Sequence, residues 1–182
     1  MIILFAIIDI ETTGNSYQNG KITEIAIFQH NGVEITGSYS SLIHPEMDIP
    51  YFITNLTGIS NEMVKNAPKF YEVAKRIVEM TAGRTFVAHN VSFDYKFVKE
   101  EYKRLGYFYN NKTMCTVQLA RKLLPGHESY SLGRLCADLG IEINGRHRAA
   151  GDALATVKLF EILLEKNKLY NDSKSLNNYK LF

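Results

Sequence analysis

Three short blocks of the sequence hold acidic side chains, and one of the blocks also holds a histidine. The residues are Asp9 and Glu11 in DIETTG, Asp94 in HNVSFD, and His147 and Asp152 in HRAAGD. Carboxylate oxygens are the ligands that Mg²⁺ and Mn²⁺ prefer, whereas Zn²⁺ prefers histidine and cysteine. Two such cations about 3.5–4 Å apart can bind both the attacking and the leaving oxygen of a phosphodiester. The five residues therefore indicate metal-dependent phosphodiester cleavage, provided that the fold brings them together.

Taken singly, each block also has an ordinary structural explanation. Asp9 and Glu11 are two residues apart on a predicted strand and so share a face, but charged residues are also common at strand ends. Asp94 and Asp152 lie in the first turns of predicted helices, where a carboxylate interacts well with the helix dipole. His147 follows a glycine-containing loop and could simply be exposed. It could instead take a proton from a metal-bound water, because a histidine ordinarily titrates near pH ~6.5.

Residues next to the blocks could contact a substrate. Thr12, Thr13 and Gly14 form a predicted turn whose hydroxyls and backbone N–H groups could reach a phosphate or a terminal sugar. Asn90 follows a short strand, and ligand sites in sheets with parallel strands lie at the carboxyl ends of those strands. Phe93 could be a core residue or could stack on a base.

The hydrophobic pattern predicts the elements that position these residues. Residues 2–10 are a continuous β-branched and apolar run, and Asn31-Gly32 between two further strand-like runs is a strong hairpin signal. The spacing of apolar residues then changes to that of helices, one of which has Ser92 as a possible N-cap. The predicted strands are 2–10, 21–29, 33–43 and 85–88, and the predicted helices are 68–80, 92–105, 116–124, 131–139 and 149–166. We therefore expect an α/β fold with a mixed central sheet, three antiparallel strands first and parallel strands after them, flanked by helices.

The composition fits one domain of ordinary size. The chain has 182 residues, 46% of them hydrophobic, and a net charge of +2 from 21 basic and 19 acidic residues, so charge alone does not indicate nucleic-acid binding. The longest apolar run, residues 1–8, is far shorter than the roughly 20 residues of a membrane span, and it lacks the features of a signal peptide. We expect a cytoplasmic protein with no membrane partner. Cys115 and Cys136 lack metal-type spacing and should be reduced thiols.

The last residues differ in composition from the rest of the chain. Residues 167–182 are rich in Asn, Lys, Ser and Tyr, and we expect them to form a loose or disordered tail after a domain at 1–166. An alternative is a docking segment, since Tyr170, Tyr179, Leu181 and Phe182 offer apolar anchors among lysines.

Together the three blocks resemble the motifs of the DEDDh-type 3′-to-5′ exonucleases, a family that includes the proofreading epsilon subunit of bacterial DNA polymerase III. DIETTG resembles the first exonuclease motif, HNVSFD the second and HRAAGD the third. His147 is separated from Asp152 by four residues, as in the His subgroup of the family. The sister subgroup has a tyrosine four positions before the last aspartate, where this chain has Arg148. The resemblance runs from about residue 3 to residue 164.

The resemblance implies a ribonuclease H-like fold and hydrolysis with two divalent cations, Mg²⁺ or Mn²⁺. It implies release of nucleoside 5′-monophosphates from single-stranded DNA 3′ ends. The metal ligands would be Asp9, Glu11, Asp94 and Asp152, and His147 would be the general base.

The resemblance also implies residues that contact the terminal nucleotide. These would be Thr12, Leu56, Thr57 and Phe93; the first two residues of the LTGIS stretch, Leu56 and Thr57, belong to a loop that lines this nucleotide in the family. The epsilon subunit itself tends to have histidine where this chain has Thr57. Two alternatives stay open: an exonuclease acting on RNA ends, and a non-catalytic module that binds nucleic acid or a polymerase. A DNA polymerase subunit could be a partner through the tail.

Overall fold

A five-stranded mixed sheet forms the centre of the protein. The computed structural model describes the backbone of residues 4–179 and the side chains of residues 4–169. The strands are β1 (Phe5–Thr12), β2 (Ile22–His30), β3 (Ile35–Leu42), β4 (Thr85–Ala88) and β5 (Thr113–Cys115), in the order β3-β2-β1-β4-β5. β1 pairs antiparallel with β2 and parallel with β4, β2 pairs antiparallel with β3, and β4 pairs parallel with β5. The predicted mixed α/β sheet is confirmed.

The helices flank this sheet. They are α1 (Tyr51–Thr57), α2 (Asn61–Val64), α3 (Phe70–Thr81), α4 (Val91–Arg104), α5 (Thr116–Leu123), α6 (Leu132–Asp138) and α7 (Ala149–Tyr179). α1, α2 and β5 were not predicted, because these short segments show no clear hydrophobic period. Asn90, and not Ser92, occupies the N-cap position of α4, and its side chain makes no capping hydrogen bond. Asn90 has a φ of 68°, a left-handed conformation that asparagine tolerates better than most residues.

The last helix is longer than the sequence predicted. α7 continues to Tyr179, through most of the predicted loose tail. Residues 152–182 contain no glycine or proline, so nothing in this stretch forces the helix to end. Residues 180–182 and the side chains of Tyr170 and Tyr179 lie outside the described residues. The division of the chain at residue 166 stays a prediction.

The two faces of β1 pack against different helices. Ile8 and Ile10 belong to the larger core, which includes Ile77 of α3 and Phe97 of α4. The alternate residues of β1, beginning with Phe5 and Ile7, pack on the opposite face against Val157 and Phe160 of α7. Side chains at alternate positions of a strand point to the same face, so the polar end of β1 must point in part toward α7.

None of the helices in the described part of the chain has the length and apolar character that a membrane crossing requires. Cys115 and Cys136 are free thiols.

Candidate active site

Asp9 and Glu11 continue the row of β1 side chains that faces α7. Phe5 and Ile7 of this row are buried against α7, so the next two alternate positions project from the same face near the end of the strand. In the sheet register Asp9 lies opposite Ala26 of β2 and Glu11 lies opposite Glu24. The central position of β1 thus places two carboxylates beside the first turn of α7.

Small residues allow the first turn of α7 to approach this part of the sheet. Ala26 of β2 forms one buried cluster with Ala149 and Ala153 of α7. Asp152 lies in the same turn and is only 9% exposed. Asp9, Glu11 and Asp152 each offer a carboxylate oxygen such that the three atoms lie within 4.8 Å of one another.

Asp94 approaches the cluster from the other helix layer. It lies in the first turn of α4, which follows the carboxyl end of β4, the parallel neighbour of β1. Its side chain is 4% exposed. Burial raises the pKa of Asp94 to about 8, hydrogen bonding from the backbone of Asp94 and Ile10 opposes this rise, and the charge of Glu11 adds to it. The parallel strands β1 and β4 end at the same edge of the sheet. The first turn of α4, which follows β4, therefore lies near the end of β1.

The four carboxylates repel one another in a poorly solvated environment. Burial, followed by the charges of Asp94 and Asp152, raises the pKa of Asp9 well above its ordinary value. Burial and the charge of Asp152 raise the pKa of Glu11 to about 7, and burial raises the pKa of Asp152. Among the described residues, none of these four carboxylates forms an ion pair. Buried carboxylates without cationic partners are costly, and their oxygen donors fit hard divalent cations.

His147 lies beside the cluster on the loop that precedes α7. Its φ of 59° is left-handed, which is unusual for any residue other than glycine. Its backbone N–H donates a hydrogen bond of 2.9 Å to Oδ2 of Asp152, and its charge lowers the pKa of that carboxyl. The structure therefore brings all five residues of the three sequence blocks to one end of the sheet.

An ion pair between the buried Glu24 and the half-exposed Arg148, next to the cluster, was missed by sequence reasoning. Glu24 is 6% exposed and accepts hydrogen bonds from Nε of Arg148 at 3.1 Å and from Nη2 of Arg148 at 2.7 Å. The backbone N–H of Ala149 donates a third bond, of 2.9 Å, to Oε2 of Glu24. The one signal in the sequence was a lone charged residue inside the apolar strand ITEIAIF, where a carboxylate needs a partner.

The threonines that follow Glu11 shape the loop after β1. The hydroxyl of Thr12 donates to the carbonyl of Gly14 at 2.8 Å. The hydroxyl of Thr13 accepts from the backbone N–H of Lys21 at 3.0 Å and contacts the sulfur of Met47. Both side chains are buried, and their contact with a substrate stays a prediction.

The other candidate nucleotide contacts lie at two places. Leu56 is 54% exposed on α1, whereas Thr57 is buried and its hydroxyl donates to the carbonyl of Ile53 at 3.0 Å. Asn90 and Phe93 line a cavity of about 230 Å³ between α4 and the loop after β1. The remaining lining residues are Asn15, Tyr17, Ser92, Lys96 and Phe97. That these residues contact a nucleotide stays a prediction.

Comparison with known proteins decides the family. A model of the exonuclease family RNase_T matches residues 6–160, a range that contains all three sequence blocks. The chain belongs to this exonuclease family. The four carboxylates and His147 therefore lie in the part of the chain that the family shares.

Curated relatives of this exonuclease family include both long and short proteins. The chain is 42% identical over 164 residues to the 3′-5′ exonuclease DinG of Bacillus subtilis; the match covers 89% of this chain and 18% of that protein. It is 36% identical over 163 residues to the DNA polymerase III subunit epsilon of Aquifex aeolicus, with 89% of this chain and 81% of that protein covered. The chain thus spans less than a fifth of DinG and most of the epsilon subunit.

Solved structures of exonucleases share the fold. A complex of Exonuclease X with 5′ overhanging duplex DNA matches with a TM-score of 0.73 at 28% identity, covering 88% of this chain and 91% of that chain. Escherichia coli Exonuclease I in complex with a dT13 oligonucleotide matches with a TM-score of 0.82 at 18% identity, covering 94% of this chain and 43% of that chain. The second likeness shows the fold alone. The expected ribonuclease H-like exonuclease fold is confirmed.

Proposed function

We propose that this domain is a metal-dependent 3′-to-5′ exonuclease that hydrolyses DNA from its 3′ end and releases nucleoside 5′-monophosphates. The observation that carries the proposal is the convergence of His147 and four carboxylates, none of which has an ion-pair partner among the described residues, at one end of the sheet. The family match and the relatives named 3′-5′ exonuclease support the same activity.

Each residue of the cluster has a role that its position supports. Asp9, Glu11, Asp94 and Asp152 would hold two divalent cations. Oxygens of Asp9, Glu11 and Asp152 lie within 4.8 Å of one another, and Asp94 is near enough for its charge to raise the pKa of Asp9. When bound, such cations neutralise charge on the phosphate and make a water molecule more acidic. The exposed side of His147 would take the proton from the attacking water at a ring nitrogen. Asp152 would also hold the His147 backbone in place through its hydrogen bond.

Mg²⁺ and Mn²⁺ are the cations that this donor set fits best. All four proposed ligands are carboxylates, and no cysteine belongs to the cluster found among the described residues. Hard oxygen ligands suit Mg²⁺ and Mn²⁺, while Zn²⁺ prefers nitrogen and sulfur.

The terminal nucleotide would bind between α1 and the start of α4. Phe93 lies in tilted contact with Phe97, with 5.0 Å between ring centroids, and it keeps one partly exposed side at the cavity beside Asn90. An aromatic ring fixed in this way can stack on a base of any type. Leu56 offers a second apolar surface, and the backbone of Thr12, Thr13, Gly14 and Thr57 would fit the sugar and phosphate.

DNA is the proposed substrate, with RNA as the alternative. The polymerase III epsilon relative and the Exonuclease X complex favour DNA. A neighbour of the same fold, the nuclease domain of 3′hExo, is bound to rAMP, which keeps RNA open. By analogy with epsilon we propose a role in proofreading or repair in the cytoplasm, with the segment after residue 166 as the contact to a polymerase subunit.

Matched single-stranded DNA and RNA oligonucleotides test this proposal. We expect the protein to shorten the DNA oligonucleotide faster than the RNA oligonucleotide, and only when Mn²⁺ or Mg²⁺ is present. We expect Asp94→Asn to lower kcat by at least roughly 10³-fold. Asp138→Asn is the matched control, because Asp138 lies on α6 in an ion pair with His127 outside the cluster. Faster cleavage of RNA would replace DNA as the substrate, and binding of oligonucleotides without any turnover would favour the non-catalytic module.

A further inference from the structure

The pair formed by Glu24 and Arg148 links the centre of the sheet to the start of α7. The guanidinium of Arg148 donates one hydrogen bond to each carboxylate oxygen of Glu24, at 3.1 and 2.7 Å. This two-point geometry fixes direction as well as distance. Glu24 is buried on β2, and Arg148 is the last residue before α7. The pair therefore fixes the point at which the loop becomes the helix.

The residues on either side of Arg148 share this attachment. The N–H of Ala149 donates to Oε2 of Glu24, so Glu24 satisfies one of the free N–H groups at the start of α7. On the other side, the N–H of His147 donates to Oδ2 of Asp152. The position of His147 and the position of Asp152 are thus coupled to each other and, through Arg148, to β2.

The first turn of α7 also packs closely against the backbone of the loop that precedes it. A methyl group at Gly151 would collide with the backbone carbonyl oxygens of Asn144 and Gly145. Nearby, a methyl group at Gly133 would lie 2.6 Å from the guanidinium carbon of Arg146, so the Arg146 side chain lies against α6. The loop thus lies against the first turn of α7, and the hydrogen bonds of Arg148 and Ala149 to Glu24 attach it to β2.

Glu24 lies directly beside the carboxylate cluster. It is opposite Glu11 in the register of β1 and β2, and Arg148 bonds both of its carboxylate oxygens.

We propose that Glu24 and Arg148 are positioning residues: their ion pair holds His147 and Asp152 against β1 in the geometry that the proposed hydrolysis needs. The inference rests on the proposed function. It assigns to the pair a contribution to turnover and to cation binding, beyond any contribution to stability.

Arg148→Gln and Arg148→Lys test the inference, with Arg76→Lys as the matched control. Arg76 lies on α3, forms an exposed pair with Glu79 and is remote from α7. We expect Arg148→Gln to lower kcat by about 10- to 100-fold with KM for a DNA oligonucleotide within about twofold, because a residue that orients metal ligands typically has an effect of this size. Arg148→Lys keeps the charge but cannot bond both oxygens in a plane, and we expect an intermediate loss.

Calorimetric titration with Mn²⁺ gives a readout that does not depend on turnover. We expect Mn²⁺ to bind Arg148→Gln about 3- to 10-fold more weakly than the wild type, and Arg76→Lys to bind it unchanged. A variant that melts at lower temperature but keeps kcat and the Mn²⁺ Kd within about twofold would overturn the inference. If Arg148→Gln does not fold, the same twofold limits on kcat and on the Mn²⁺ Kd are applied to Arg148→Lys. A wild type that binds Mn²⁺ without turnover would refute the proposed function, and the titration would still test the pair.

Discussion

Replacing Glu11 by glutamine should stabilise the protein in the absence of metal while abolishing its activity. The ionised Glu11 lies beside Asp9 and Asp152, with one oxygen of each within 4.8 Å, and it forms no ion pair within the described part of the chain. Glutamine has nearly the same shape but no charge. The folded protein therefore loses a repulsion that the unfolded chain does not have.

The pKa of Glu11 sets the magnitude. Burial and the charge of Asp152 raise it from the ordinary 4.5 to about 7, and each pKa unit corresponds to about 1.36 kcal/mol. The folded state thus binds the proton of Glu11 more tightly than the unfolded state does. The stability linked to the protonated Glu11 is therefore complete below pH ~4.5 and is lost as the pH rises through ~7. Near pH 8 the ionised Glu11 costs about 3 kcal/mol, and near pH 5 it costs less than about 1 kcal/mol.

Thermal unfolding in EDTA measures this difference. For a chain of this size 1 kcal/mol shifts the Tm by roughly 2–4 °C, so Glu11→Gln should melt roughly 6–12 °C above the wild type near pH 8 and only slightly above it near pH 5. Saturating Mn²⁺ should reverse the order, because the variant lacks one proposed ligand. Glu142→Gln, the same substitution at an exposed position outside the cluster, is the control and should show no such dependence on pH. An equal Tm shift at both pH values, or a lower Tm for Glu11→Gln near pH 8, would refute the reasoning.

Further predictions concern the whole site and its supports. The metal-free wild type should lose stability as the pH rises from about 5 to 8, and Mn²⁺ should remove most of this loss, which melting curves with and without EDTA will show. Arg104→Ala should lower the free energy of unfolding in urea by about 2 kcal/mol, since it removes a 2.8 Å partner of the buried Glu101, which keeps Lys21 at 3.5 Å as a second partner. Phe93→Ala should raise KM for DNA by roughly tenfold with a smaller change in kcat, through lost stacking. Gly151→Ala should displace the loop that carries His147, lowering both the Tm and kcat.

The sequence predicted the carboxylates of the candidate site better than the ion pair that lies beside them. Asp9 and Glu11 could be placed on one face of a strand because strand periodicity is local, and Asp152 could be placed in the first turn of the last helix for the same reason. The pairing of Glu24 with Arg148 could not be predicted, because it depends on the register of β1 and β2 and on the packing of Ala149 against Ala26. Contacts between distant residues follow from the assembled sheet and not from local patterns.

The same distinction between local patterns and contacts of distant residues explains why some observed elements differ from the predicted ones. Residues 113–115 become a strand only because the edge of β4 is free to pair with them, and three residues carry no period of their own. The left-handed Asn90, which lies before the predicted helix start, allows α4 to begin at Val91. α7 continues beyond residue 166 because the sequence lacks a stop signal, although its polar composition suggested a loose tail.

The most direct test of the proposed activity is the product formed from a single-stranded DNA oligonucleotide labelled at its 5′ end. With Mn²⁺ or Mg²⁺ the protein should yield a ladder of labelled strands that shorten one nucleotide at a time from the 3′ end, and mass spectrometry should detect nucleoside 5′-monophosphates. EDTA should stop the reaction. Release of the label as a mononucleotide, internal cleavage, or an unchanged rate in EDTA would contradict a cation-dependent 3′-to-5′ exonuclease built on Asp9, Glu11, Asp94 and Asp152.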